Sequence, residues 1–210
     1  MPLYKTITVN DGTKVLIWKV EESESQLSEG VVLTPHCQKR MMGMKSELHR
    51  RGFLSIRHLM AIEGYVDHDL FYDEAGKPHL TDGKFISITH SHEFTGIIIS
   101  DTKEVGIDIE MQRDKILRIA NKYTPLEEYK TVANADALVR KLTIVWGAKE
   151  SLYKIYAQHG LSFLHHIDIT DFSLSDSETT GTILYKGKTS HYNIIFLEFE
   201  GYTCVYAIKN

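Results

Sequence analysis

Twice along this 210-residue chain a block of helical periodicity is followed by several short strand-like runs, and strands and helices do not alternate one for one. That order argues against a parallel sheet of βαβ units and predicts an α+β fold with two similar halves. Residues 3–9 and 14–20 flank Asn10-Asp11-Gly12 and read as a hairpin, because Asp-Gly suits the positive φ of a tight turn. Residues 21–29 are a short helix or an exposed loop. Thr34-Pro35 pairs a cap with a proline at the first helical position, and the helical pattern, broken near Gly43 or Gly52, runs to Gly64. Strand signals follow at 70–72, 85–89, 95–100 and 104–110. Helix signals then cover 115–122, 125–132 and 136–158, before strands at 167–174, 182–186, 191–198 and 203–209. We therefore expect an N-terminal lobe over 1–102 and a C-terminal lobe over 103–210.

Composition narrows the function classes. With 42% hydrophobic and 25% charged residues the chain is not of the disordered type. Its 24 basic against 28 acidic residues leave no net positive field to coat nucleic acid. Cys37 and Cys204 are too few for a disulfide scaffold and lack metal-ligand spacing. No run approaches the ~20 apolar residues of a membrane span, and Met-Pro-Leu-Tyr-Lys is not of signal-peptide type. A cytoplasmic protein without membrane or nucleic-acid partners is the expectation.

Four constellations could carry chemistry. In Gly106-Ile107-Asp108-Ile109-Glu110, strand alternation puts Asp108 and Glu110 on one face and the isoleucines on the other. Two carboxylates on one face suit a hard cation such as Mg²⁺, or are the polar side of an ordinary strand. From Trp146 to Lys154, helical spacing sets Lys149 within an apolar arc, while Glu150 and Lys154 are neighbours on its edge, as functional groups or as a surface ion pair. Gly76-Lys77-Pro78 presents a cation at a turn, and Thr89-His90-Ser91 offers donors for phosphate oxygens. His90 and His92 could instead form an H-x-H metal pair. Between His36 and Arg57, Lys39, Arg40, Lys45, Arg50, Arg51 and Arg57 face a single acid, Glu47, which favours a polyphosphate or acidic partner, or is a solvated helix face.

Taken together and in order, these segments resemble the 4′-phosphopantetheinyl transferase superfamily, in its two-lobed class typified by the surfactin-synthetase activator. Gly76-Lys77-Pro78, the 85–91 strand, Gly106-Ile107-Asp108-Ile109-Glu110, Trp146-x-x-Lys149-Glu150-Ser151-x-x-Lys154 and Gly160-Leu161-Ser162 carry the likeness. Four positions depart from the family pattern: Thr89 for serine, His92 for glycine, and Gln158-His159 for Gly-Lys. The resemblance implies two α+β lobes related by a pseudo-twofold, and transfer of 4′-phosphopantetheine from coenzyme A to a serine of an apo acyl or peptidyl carrier protein. Under it Asp108, Glu110 and Glu150 hold Mg²⁺ (or Mn²⁺), with Asp108 counted as catalytic, Glu150 serves as general base, and Lys154 meets the transferred phosphoryl group. Lys77, Thr89 and His90 contact coenzyme A phosphates, Arg51 and Lys39 its 3′-phosphate, and Lys149 is structural, anchored to the acidic cluster. A monomer is expected. A silent coenzyme A binder of the same fold and an H-x-H metallohydrolase are the alternatives.

Overall fold

A computed structural model describes residues 3–9, 12–125, 129, 132 and 134–210. The chain divides into two compact units, Met1–Thr102 and Lys103–Asn210. Both are α+β, and among the described residues every strand pair is antiparallel.

The first unit opens with strands β1 (Leu3–Val9) and β2 (Thr13–Lys19), with Asn10 and Asp11 of the expected turn outside the described residues. Three helices follow. Helix α1 (Glu24–Ser28) has a capping box between Ser23 and Gln26. Helix α2 (Pro35–Met42) starts where Thr34 accepts from the Cys37 N–H and ends at Gly43. Helix α3 (Glu47–Ile62) starts where Ser46 accepts from the His49 N–H. The break expected at Gly43 or Gly52 falls at Gly43. Gly52 lies inside α3, where a Cβ would stand 3.5 Å from Thr95, in ordinary contact; packing outweighs the ~1 kcal/mol helix penalty of glycine.

Strands β5 (Phe85–Ser91) and β6 (Phe94–Ser100) join the first hairpin in the order β1-β2-β6-β5. A separate ribbon pairs β3 (Leu70–Tyr72) with β4 (Pro78–Leu80), the latter not foreseen from sequence. Leu54, Leu59 and Met60 of α3 pack with Leu16, Trp18, Ile97 and Ile99 to form the core. Within it, Arg57 Nε donates to Asp67 Oδ1 at 2.8 Å, and the Thr34 N–H donates to the other Asp67 oxygen at 2.8 Å. That ion pair ties the start of α2 to the middle of α3.

The second unit begins with strand β7 (Val105–Met111) and short helix α4 (Lys115–Ile119), continued by a 3₁₀ turn over Ala120–Lys122. Most of the expected 125–132 helix lies outside the described residues. The long helix α5 (Ala135–Tyr156) is capped by Asn134, whose side chain accepts from the Ala137 N–H. After α6 (Phe163–His166), a helix not expected, come β8 (Ile167–Ile169), β9 (Glu178–Tyr185), β10 (Lys188–Phe199) and β11 (Tyr202–Lys209).

The sheet order is β7-β11-β10-β9-β8, so the first and last strands of this unit are neighbours. Its two tight hairpins turn on Lys186-Gly187 and Glu200-Gly201, each with consecutive positive φ, the twist that matches paired strands. Helix α5 lays Leu142, Val145, Ala148 and Leu152 onto Val205, Ala207 and Ile194. Lys149 is 3% exposed within this core. Its ammonium donates to the carbonyls of Tyr123, Phe163 and Ile167 at 2.6, 2.7 and 2.7 Å. These three backbone carbonyls give it the structural place expected of it. A buried ammonium stays charged when such oxygens replace its water.

Candidate active site

Helix α5 and strand β7 can meet closely because glycine stands on each side of the contact. A Cβ at Gly106 would sit 2.0 Å from the Ser151 carbonyl oxygen, and one at Gly147 would sit 2.8 Å from Val205 Cγ2 and 3.7 Å from Asp108 Oδ2. No other residue type allows backbone to approach side-chain density this nearly. Gly106, Asp108 and Glu110 share one strand face by alternation, so the face that touches α5 is the one that carries both acids.

Four charged groups converge there. Lys154 Nζ donates to the Ile107 carbonyl at 2.7 Å and to Asp108 Oδ1 at 2.8 Å. Asp108 is 6% exposed. Glu110 is half-buried, and burial with the nearby Asp108 charge pushes its carboxyl up, although the Trp146 side chain hydrogen-bonds to it and Lys154 and Arg113 pull the other way. Glu150 is pushed up to about 7, first by burial, then by Asp108, with Lys154 opposing and Glu110 adding to the rise. Three carboxylates thus share one ammonium, and their mutual repulsion persists.

That donor set fits a hard divalent cation, which takes carboxylate oxygens and relieves such repulsion. Among the described residues, however, no three His, Cys, Asp or Glu side chains are already drawn together as a metal clamp. Asp108 Oδ1 is instead bonded to Lys154. The same observation bears on the H-x-H alternative: β5 ends at Ser91, and His92 stands in the following turn at φ 51°.

Beside the acids, a cavity of about 220 Å³ is lined by Glu110, Trp146, Ile116, Ile119 and Thr143, with Arg113 and Lys115 among its residues. Lys115, Arg118 and Lys122 are exposed on α4 and the turn after it.

The remaining sequence-selected residues belong to the first unit, which has its own cavity of about 230 Å³. His90 lines it, with its ring edge-on to His49 at 5.9 Å. Thr89 does not share that face: adjacent strand residues point oppositely, and Thr89 is buried while His90 is exposed. Arg51 donates to the Glu22 and Val20 carbonyls at 2.6 and 2.9 Å, and is not among the cavity residues. Lys39 is exposed on α2, and Lys77 is half-buried in the β3–β4 turn, where its N–H donates to Asp73.

Of the basic run named from the sequence, Arg40 and Arg57 line this cavity, whereas Lys39 and Arg51, the two selected from it, do not. Arg40 lies over the rings of Tyr72 and Phe53 at 5.2 and 5.8 Å. Helix phase was the available signal. Arg40 is three residues beyond buried Cys37 and so near its face, whereas Lys39, two residues beyond, points away. Likewise His49, Gly52, Phe53 and Ile56 form one stripe of α3 along the cavity, and Arg51 falls outside it.

A search of curated proteins found no match to the chain. Residues 104–207 match the family model described as the 4′-phosphopantetheinyl transferase superfamily, a span that runs from the start of β7 into β11. Through this half, which holds Asp108, Glu110, Glu150 and Lys154, the chain belongs to the 4′-phosphopantetheinyl transferase superfamily.

Proposed function

We propose that the protein transfers 4′-phosphopantetheine from coenzyme A to a serine hydroxyl of an apo acyl or peptidyl carrier protein, with Mg²⁺, as a single-chain enzyme of the surfactin-synthetase-activator class. The observation that carries this reading is the meeting of Asp108 and Glu110 on β7 with Glu150 and Lys154 on α5, where Glu150 has a pKa of about 7.

In the reaction the serine oxygen bonds to the β-phosphorus of coenzyme A, the bridging P–O bond breaks, and 3′,5′-ADP leaves with the electron pair. Asp108, Glu110 and Glu150 are the residues that would hold Mg²⁺, which when bound neutralises pyrophosphate charge. Glu150 accepts the serine proton, directly or through water. Burial and the Asp108 charge raise the proton affinity of Glu150 above that of an ordinary glutamate in the metal-free protein, and Mg²⁺ bound beside it would offset part of that rise. Lys154 donates to the transferred phosphoryl group, stabilising charge that builds on its oxygens.

The first unit's cavity suits the nucleotide end: Arg40 and His90 are donors for phosphate, and Tyr72 and Phe53 supply aromatic faces. Lys77 and Lys39 are further cations for coenzyme A phosphates, and Arg51 would have to leave the Glu22 and Val20 carbonyls to join them. The exposed cations Lys115, Arg118 and Lys122, next to the second cavity, are suited to the acidic surface of a carrier protein.

The test is the intact mass of an apo acyl carrier protein incubated with this protein, coenzyme A and Mg²⁺, beside an Asp108→Ala control. A gain of one phosphopantetheine, absent with the control, is the expected result. No gain across several carriers while coenzyme A still binds would replace this reading with that of a silent binder.

A further inference from the structure

Lys154 occupies a position that the transfer step alone does not require. Two oxygens of β7 hold its ammonium, the Ile107 carbonyl and Asp108 Oδ1. The Asp108 side chain is nearly closed off at 8% exposure, while that of Lys154 is 28% exposed. The lysine is therefore the more accessible member of the pair. An oxygen that accepts a charge-assisted bond from an ammonium has less to offer a second cation, and the ammonium also repels it.

We infer that Lys154 is a removable counter-ion for Asp108, so that the protein binds a divalent cation strongly only together with a phosphate-bearing ligand that draws the ammonium away. A flexible four-carbon stem permits the exchange, and a pyrophosphate offers an ammonium more negative charge than one carboxylate does. Glu110 and Glu150, which lie near enough to Asp108 to feel its charge, gain from the extra positive charge that the exchange admits. Linkage makes the effect reciprocal: phosphate ligand and metal each tighten the binding of the other. The inference rests on the transferase reading, because it takes coenzyme A as the phosphate-bearing ligand.

The experiment titrates Mn²⁺ into metal-stripped protein, with free ion read by electron paramagnetic resonance, for wild type, Lys154→Met and Arg113→Met, with and without coenzyme A. Without coenzyme A, Lys154→Met is expected to bind Mn²⁺ about tenfold more tightly than wild type. Coenzyme A should tighten Mn²⁺ binding to wild type by a comparable factor and to Lys154→Met far less. Arg113 acts on Glu110 through space, so Arg113→Met reports the general field of a nearby cation and should change affinity much less. Equal Mn²⁺ affinities for wild type and Lys154→Met, or an equal gain with Arg113→Met, would overturn the inference. Should Lys154→Met fail to fold, as judged by circular dichroism, Lys154→Gln keeps a donor for the Ile107 carbonyl without the charge and replaces it. Coenzyme A binding is measured separately by equilibrium dialysis. Its absence in wild type overturns the transferase reading and this inference with it, whereas binding without coupling to Mn²⁺ overturns the inference alone.

Discussion

Replacing Glu150 by glutamine should make the metal-free protein more stable while it abolishes transfer. The carboxyl of Glu150 is raised from its ordinary 4.5 to about 7 by burial and by Asp108. Because the folded value lies above the unfolded one, the fold disfavours the charged form; the penalty is absent below about pH 4.5 and complete above about pH 7. At about 1.36 kcal/mol per unit the rise corresponds to about 3 kcal/mol, which solvent screening at a half-buried carboxylate reduces to about 1–2 kcal/mol. Glutamine has nearly the same shape and never ionises. Chemical denaturation in EDTA should therefore show the variant about 1–2 kcal/mol more stable than wild type at about pH 8, and less than half as much more stable at about pH 5.5. Saturating Mg²⁺ should narrow the gap at the higher pH by stabilising wild type. A variant that is no more stable at the higher pH, or whose advantage does not depend on pH, would refute the argument that the acids crowd one another.

Other predictions probe the parts that build and serve this site. Gly106→Ala places a Cβ where the Ser151 carbonyl lies, 2.0 Å away; a loss of about 3 kcal/mol or more in urea denaturation is expected, and a loss under 1 kcal/mol would show that α5 can lift from β7. Asp67→Asn should cost about 3–5 kcal/mol by leaving Arg57 buried without its counter-ion. Burial pushes the Asp67 carboxyl up, but the Thr34 N–H and Arg57 together hold it below the ordinary range. Its contribution is accordingly complete above the unfolded pKa and lost as pH falls through the folded one, so wild type and Asp67→Asn should converge in stability on acidification. Arg40→Ala should raise KM for coenzyme A about tenfold, with KM for carrier unchanged. Charge reversal at Lys115, Arg118 and Lys122 should do the opposite, raising KM for carrier and sparing that for coenzyme A; an unchanged carrier KM would remove α4 from the docking surface.

Local rules made much of this molecule readable. Thr34-Pro35 starts α2 because a hydroxyl cap and a fixed φ need no tertiary help. The alternation in 106–110 set Asp108 and Glu110 on one face for the same reason. What could not be read were facts that depend on a neighbour distant in sequence. Gly52 continues a helix because the residues beside it, Phe53, Leu54 and Ile56, are buried against partners distant in sequence. Ribbon β3–β4 exists by pairing, since three-residue strands carry little pattern of their own. Basic residues 39–51 looked interchangeable in the sequence, yet the helix phase gives Arg40 a cavity and spends Arg51 on two backbone carbonyls. Lys149 and Lys154, five residues apart on one helix, likewise have opposite fates: one locks core carbonyls together, the other pairs with an acid.

The neighbouring of β7 and β11 sets a condition on synthesis. Asp108 and Glu110 emerge early in the second unit, but the only strand of the described sheet that pairs with theirs is Tyr202–Lys209. During translation the acidic strand must wait about 90 residues for its partner, a long loop closure of the kind that delays folding. Until then Asp108 and Glu110 have no ladder to hold them, and helix α5 has half its seat missing. A stalled or clipped chain that has already made every charged residue of the site would thus remain incapable of assembling it. Pulse-labelled ribosome-bound chains halted before Tyr202 should be digested by protease across 105–156, and the released 210-residue chain should resist.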